Sequence, residues 1–149
     1  MNAETVVNQL ASGSSIGELC GVEPAQIESL YALGHGFYSQ GRLAEAASVF
    51  GLLTVYESTD PRFWFARGAT AQERRELPEA IASFGFAALL DPQDAWALVH
   101  LGECLFLAGE MPTAREALER AVIRAREVGD DAAGERAMGF VRWAEVRHG

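Results

Sequence analysis

With 149 residues, 12 basic against 21 acidic side chains and a formal net charge of −9, the chain has the length of one domain. Its charge is the wrong sign for nucleic acid, which needs a concentrated Lys/Arg surface. A hydrophobic share of 49% suffices for a real core, yet no stretch reaches the roughly 18 apolar residues of a membrane span.

The N-terminal residues, Met1 to Leu10, hold neither a basic region nor a long apolar run, so no signal peptide is expected. Residues 3–11 read as a short helix with an apolar strip of Val6, Val7 and Leu10. The run Ala11-Ser12-Gly13-Ser14-Ser15 is a loop, and Ile16 to Cys20 form one more turn. Helix pairs are then expected at 25–40 and 43–57, at 61–74 and 77–90, and at 95–108 and 111–128. Pro78 and Pro112 fall in first turns, where a missing N–H costs nothing. A final helix over 130–147 brings Met138, Val141 and Val146 to cover the last pair. Cys20 and Cys104 form no CxxC pair and read as reduced thiols of a cytosolic protein.

These pairs repeat. Gly34, Gly68 and Gly102 recur at 34-residue steps, and so do Ala46, Ala80 and Ala114. Phe50, Phe84 and Leu118 keep the same step, followed three residues later by Leu53, Ala87 and Ala121. Gly41, Arg75 and Gly109 mark the turn inside each pair. A 34-residue helix–turn–helix period is the length of the tetratricopeptide repeat. The physical logic fits: a glycine without a Cβ lets the second helix approach, a small alanine accepts the contact, and the bulky residue four positions on fills the space between repeats. The fold class is therefore all-α, with three repeats at 27–60, 61–94 and 95–128. Residues 1–24 form an N-terminal helical extension, and 129–149 form a capping helix, which an array with an otherwise open end requires.

In such an array the first helix of each pair lines a concave wall. With the packing glycine as position 8, the inward positions 2, 5, 9 and 12 are Glu28, Tyr31, His35 and Tyr38 in the first unit. The second unit contributes Arg62, Phe65, Ala69 and Gln72, and the third Trp96, Val99, Glu103 and Phe106. Tyr31, Tyr38, Phe65, Trp96 and Phe106 are more aromatics than a solvated wall needs, and rigid aromatics suit binding. Arg62 is the single cation in that set, which disfavours a receptor for C-terminal carboxylates and favours an extended peptide with apolar side chains.

Chemistry has no foothold. His35, His100 and His148 stand in no metal-ligand spacing, and no phosphate loop, G-x-S-x-G or carboxylate constellation occurs. No metal, cofactor or catalytic residue is expected. His35 is assigned to the wall, His100 to a surface or satisfied helix position, and Cys104 to inert filling of an apolar helix.

The chain resembles the class II chaperones of bacterial type III secretion over residues 16–125. The resemblance is carried by Leu30-Tyr31-Ala32-Leu33-Gly34 through Tyr38-Ser39-Gln40-Gly41-Arg42, Ala46 and Val49-Phe50. It continues in Asp60-Pro61-Arg62-Phe63-Trp64 to Gly68-Ala69, and in Glu103-Cys104-Leu105 to Gly109-Glu110. It implies a bacterial cytoplasmic chaperone that keeps one or two hydrophobic translocator proteins soluble and unassembled before export. Such a chaperone holds an extended client segment with spaced Pro and Leu side chains. The resemblance also implies homodimerisation through the N-terminal region, and a transcriptional regulator as a further partner. It places Tyr31, His35, Tyr38 and Phe65 in the groove. Gly34 departs from the family, where a larger residue such as Ala is common. A generic repeat scaffold and a needle-subunit chaperone share the fold and stay open as alternatives.

Overall fold

A computed structural model describes residues 1–148, the side chain of His148 excepted; Gly149, the last residue of the expected cap, lies outside the described residues. Among them the chain is helical, with no strand. The helices are α1 (Ala3–Ala11), α2 (Ile16–Leu19), α3 (Pro24–Ser39), α4 (Leu43–Tyr56), α5 (Pro61–Glu73), α6 (Leu77–Leu90), α7 (Ala95–Leu107), α8 (Met111–Val128) and α9 (Asp131–His148). Each of α3/α4, α5/α6 and α7/α8 is an antiparallel pair, and each pair packs on the next.

Local chemistry sets the boundaries. The first helices α5 and α7 begin at aspartates whose side chains accept a backbone N–H: Asp60 from Arg62 at 3.0 Å and Asp94 from Trp96 at 2.9 Å. The turn inside each pair is one motif used three times. Gly41, Arg75 and Gly109 all take a left-handed φ, at 73°, 62° and 83°. The next residue's N–H then closes back on a carbonyl of the first helix, Arg42 on Phe37, Glu76 on Ala71 and Glu110 on Leu105, each at 2.9 Å.

The glycine series carries the pair packing. A Cβ on Gly34 would stand 2.5 Å from the Phe50 ring, on Gly68 3.0 Å from Phe84, and on Gly102 2.5 Å from Leu118. The bulky residue therefore lies directly on the glycine of its own pair, and it also fills the space to the next unit as expected: Phe50 clusters with Phe63, Phe84 stacks on His100, and Leu118 packs with Ala133 and Ala137. Phe50, Phe84, Leu118, Ala46, Ala80 and Ala114 are all buried.

The last helix departs from expectation in its face. Ala133 and Ala137 are the fully buried contacts of α9, packed with Val99, Leu118, Ala121 and Ala125. Val141 is partly covered, but Met138 and Val146 are exposed. Alanines let α9 settle close to α7 and α8, and the larger side chains assigned to that role turn outward.

Candidate functional site

The wall is built by α3, α5, α7 and α9 lying side by side, cross-linked in register by polar pairs. Arg62 of α5 reaches Glu28 of α3 at 2.8 Å, 34 residues away. Gln72 of α5 donates to Glu103 of α7 at 3.3 Å. Arg136 of α9 donates to Glu103 at 2.7 Å, 33 residues away. The near-identical separations show one helical layer continued into α9.

Four of the expected residues meet around one hollow of about 310 Å³: Tyr31, Arg62, Phe65 and Trp96, joined by Asp91 and Asp94. All three aromatics are half-buried. Tyr31 packs edge-on to His35 at 4.5 Å and lies 5.2 Å from Phe63, with the Arg62 guanidinium 5.1 Å above its ring. Burial pushes the Tyr31 phenol above its ordinary pKa, so it stays a neutral donor. Arg62 is held by Asp60 and Glu28 together, each at 2.8 Å. Hydrogen bonding to both carboxylates raises its pKa further, and the same bond lowers that of Glu28. The guanidinium is thus neutralised from within the chain, and the hollow offers apolar faces, not a free cation.

His35 is exposed at the edge of this cluster, edge-on to Phe50 as well as Tyr31. Tyr38 is half-buried against the core of the first pair, and its phenol pKa is raised by burial and by nearby Glu73. Ala69 and Gln72 are half-buried along α5.

Val99, Glu103 and Phe106 are placed differently from expectation. All three are buried, at 0%, 4% and 6% exposure, because α9 lies over that part of α7. Val99 packs on Ala133 and Ala137, and Phe106 sits 4.6 Å from the Trp143 ring. These residues join α7 to α9 and do not line an open surface. In their place α9 presents Arg136, Gly139, Phe140 and Trp143 around a shallow hollow of about 510 Å³. A signal for this was present: Phe140 follows Phe106 by one repeat period. Arg136 is a second cation of the wall, and it too is neutralised, by Glu103.

Glu103 is the most buried charge of the site. Burial pushes its carboxyl up, but the His100 imidazole and the Arg136 guanidinium outweigh it and hold the carboxyl below the usual carboxylate range. His100, assigned from sequence to a surface or satisfied helix position, is instead a half-buried member of the aromatic layer. Its ring stacks on Phe84 at 5.1 Å and contacts Phe65 and Trp96, with Nδ1 3.6 Å from Glu103. Cys104 is buried and its thiol is pushed up to about 11, chiefly by burial, which leaves it protonated.

The Tetratricopeptide repeat family models match residues 27–60 and 65–132. Low calcium response locus protein H of Yersinia pestis is 31% identical over 109 residues, covering 73% of this chain and 65% of that protein. The chain therefore spans slightly less than two thirds of that relative. The crystal structure of a type III secretion system complex from Aeromonas hydrophila superimposes with a TM-score of 0.89 at 26% identity, over 97% of both chains. The Yersinia enterocolitica type III secretion chaperone SycD, in complex with a peptide of the translocator YopD, matches with a TM-score of 0.79 at 26% identity, over 86% of this chain and 98% of that one.

Proposed function

We propose that this tetratricopeptide-repeat chain is a chaperone of type III secretion translocators, and that its concave wall holds an extended, apolar-bearing segment of a hydrophobic translocator. The observation that carries the reading is the hollow lined by Tyr31, Phe65 and Trp96 with Arg62 already neutralised. Aromatic faces without a free cation, with Asp91 and Asp94 at the rim, suit Pro and Leu side chains, and fully covering one such anchor contributes about 2 kcal/mol. Tyr38, His35, Ala69 and Gln72 extend this surface along α3 and α5. Arg136, Phe140 and Trp143 extend it onto α9.

The mechanism is occlusion, not chemistry. A translocator must carry membrane-seeking surface, and the groove covers part of it. The acidic exterior, at net −9, keeps the pair dispersed. Among the described residues no helix is long and apolar enough to cross a membrane. The likeness to secretion chaperones is what supports action in the bacterial cytoplasm before export. The helix α1 buries none of its residues within the chain, and this supports its Val6, Val7 and Leu10 strip as the contact between two copies. A transcriptional regulator remains a further proposed partner on the strength of the family.

The test is co-expression with hydrophobic secreted proteins encoded beside this one, reading the client that stays soluble and co-purifies. The parent should keep client soluble. The Tyr38→Ala/Phe65→Ala variant should lose it while its helical circular dichroism is retained. Client retained by that variant would place the contact away from the wall, and no rescued client at all would leave a generic repeat scaffold.

A further inference from the structure

The second helices carry a repeat of their own that the core does not use. Val55, Leu89 and Ile123 recur at 34-residue steps on α4, α6 and α8, and they are 54%, 76% and 57% exposed. Leu52 and Phe86, three residues earlier, keep the same step and are also exposed; the third member of that series is Arg120. Apolar hollows lie beside these rungs. One, of about 380 Å³, is bounded by Ile81, Phe86, Leu89, Leu101 and Arg120. The next, of about 420 Å³, is bounded by Val122, Ile123, Met138, Val141 and Arg142, with Glu119. Neither arginine is ion-paired among the described residues, unlike Arg62 and Arg136 on the wall.

We propose that this outer face is a second client site, taking an amphipathic helix of the translocator that lies across α6, α8 and α9 with carboxylates beside its apolar stripe. The proposal rests on the chaperone reading for the identity of the client. The two hollows flank α8, one between α6 and α8 and one between α8 and α9; a packed helix is about 8–10 Å wide, and seven residues of α-helix rise about 10.5 Å. Apolar side chains one heptad apart can therefore drop into consecutive hollows. An acidic residue flanking each would meet Arg120 and then Arg142.

The chain's own helices do not supply this occupant. The nine residues of α1 span about 13 Å, enough for one hollow and its rim. Two copies pairing through this same face would set Arg120 and Arg142 against their own like charges, with Glu119 as the one acidic residue lining the hollows.

The test uses two synthetic helical peptides of about 18 residues with leucines at heptad spacing, one flanked by Glu and one by Lys, read by fluorescence anisotropy against the full chain. The net charge of −9 by itself favours the Lys peptide, so preference for Glu reports the arginines. The expected result is that the Glu peptide binds the parent, binds Leu89→Ser/Ile123→Ser about tenfold more weakly, and reverses its preference with the Lys peptide on Arg120→Glu/Arg142→Glu. These side chains are exposed, and circular dichroism checks that each variant keeps its helices. Equal binding to parent and variants, or tighter binding of the Lys peptide to the parent, overturns the proposal. So does displacement of the Glu peptide by an extended Pro/Leu peptide that requires Tyr38 and Phe65. Failure of the groove reading is separate: there the extended peptide binds Tyr38→Ala/Phe65→Ala as well as the parent.

Discussion

Two backbone positions show how the same repeat tolerates different residues for different reasons. Gly34 has its ordinary helical conformation but no room: the Phe50 ring occupies the place of a Cβ. Phe50 is itself enclosed by Tyr31, His35 and Phe63 and cannot swing away freely. Gly34→Ala should cost about 1–3 kcal/mol and lower the thermal midpoint, unlike a typical helix glycine, where alanine stabilises. Arg75 has the reverse problem. Its φ of 62° is left-handed, in the place where the other two turns use glycine. A side chain there costs about 1–2 kcal/mol, partly returned because a glycine is freer in the unfolded chain. Arg75→Gly should therefore raise stability by about 0.5–1 kcal/mol in urea melts, with no change in peptide binding.

At the scale of elements, α9 decides what the wall is. It turns Val99, Glu103 and Phe106 from groove residues into an interhelix contact and offers Arg136, Phe140 and Trp143 instead. The ionic part of that contact has a pH signature. Because the folded-state pKa of Glu103 is depressed, its contribution is fully present above the unfolded value and is lost as pH falls through the folded one. Stability should drop as the solution is taken below about pH 4.5, and Glu103→Gln should flatten that acid limb. At neutral pH the same substitution should cost about 1–2 kcal/mol, since it weakens the charge-assisted hydrogen bond that the half-exposed Arg136 gives to the buried Glu103 carboxylate. An acid limb unchanged by Glu103→Gln would assign the acid sensitivity to other carboxylates.

Across the whole molecule, cohesion is nearest-neighbour. Each pair packs on the next, and α1 contributes no buried residue. Hydrogen exchange should find α1 least protected and α7 and α8, covered from both sides, most protected. Protection of α1 that rises with protein concentration would identify it as the contact between copies.

The 34-residue period, the helix boundaries and the glycines that let each pair close were legible from residue spacing, because each depends on interactions within one pair; that the bulky residue itself sits on the glycine was not. So was the cluster of Tyr31, Arg62, Phe65 and Trp96, since equivalent positions on successive first helices must face one way. The fate of Val99, Glu103 and Phe106 was not legible. Burial of a wall position depends on whether another helix lies beside it and on which face that helix turns. In α9 that choice was made by small Ala133 and Ala137 over larger Met138 and Val146. His100 was misplaced for a related reason, since its surroundings come from α5, α6 and α7 together and no local pattern announces them. The sequence by itself determined the repeat and the chemistry of each helix face. The tertiary structure alone decided which faces stay open, because exposure belongs to the neighbours a helix acquires and not to the helix.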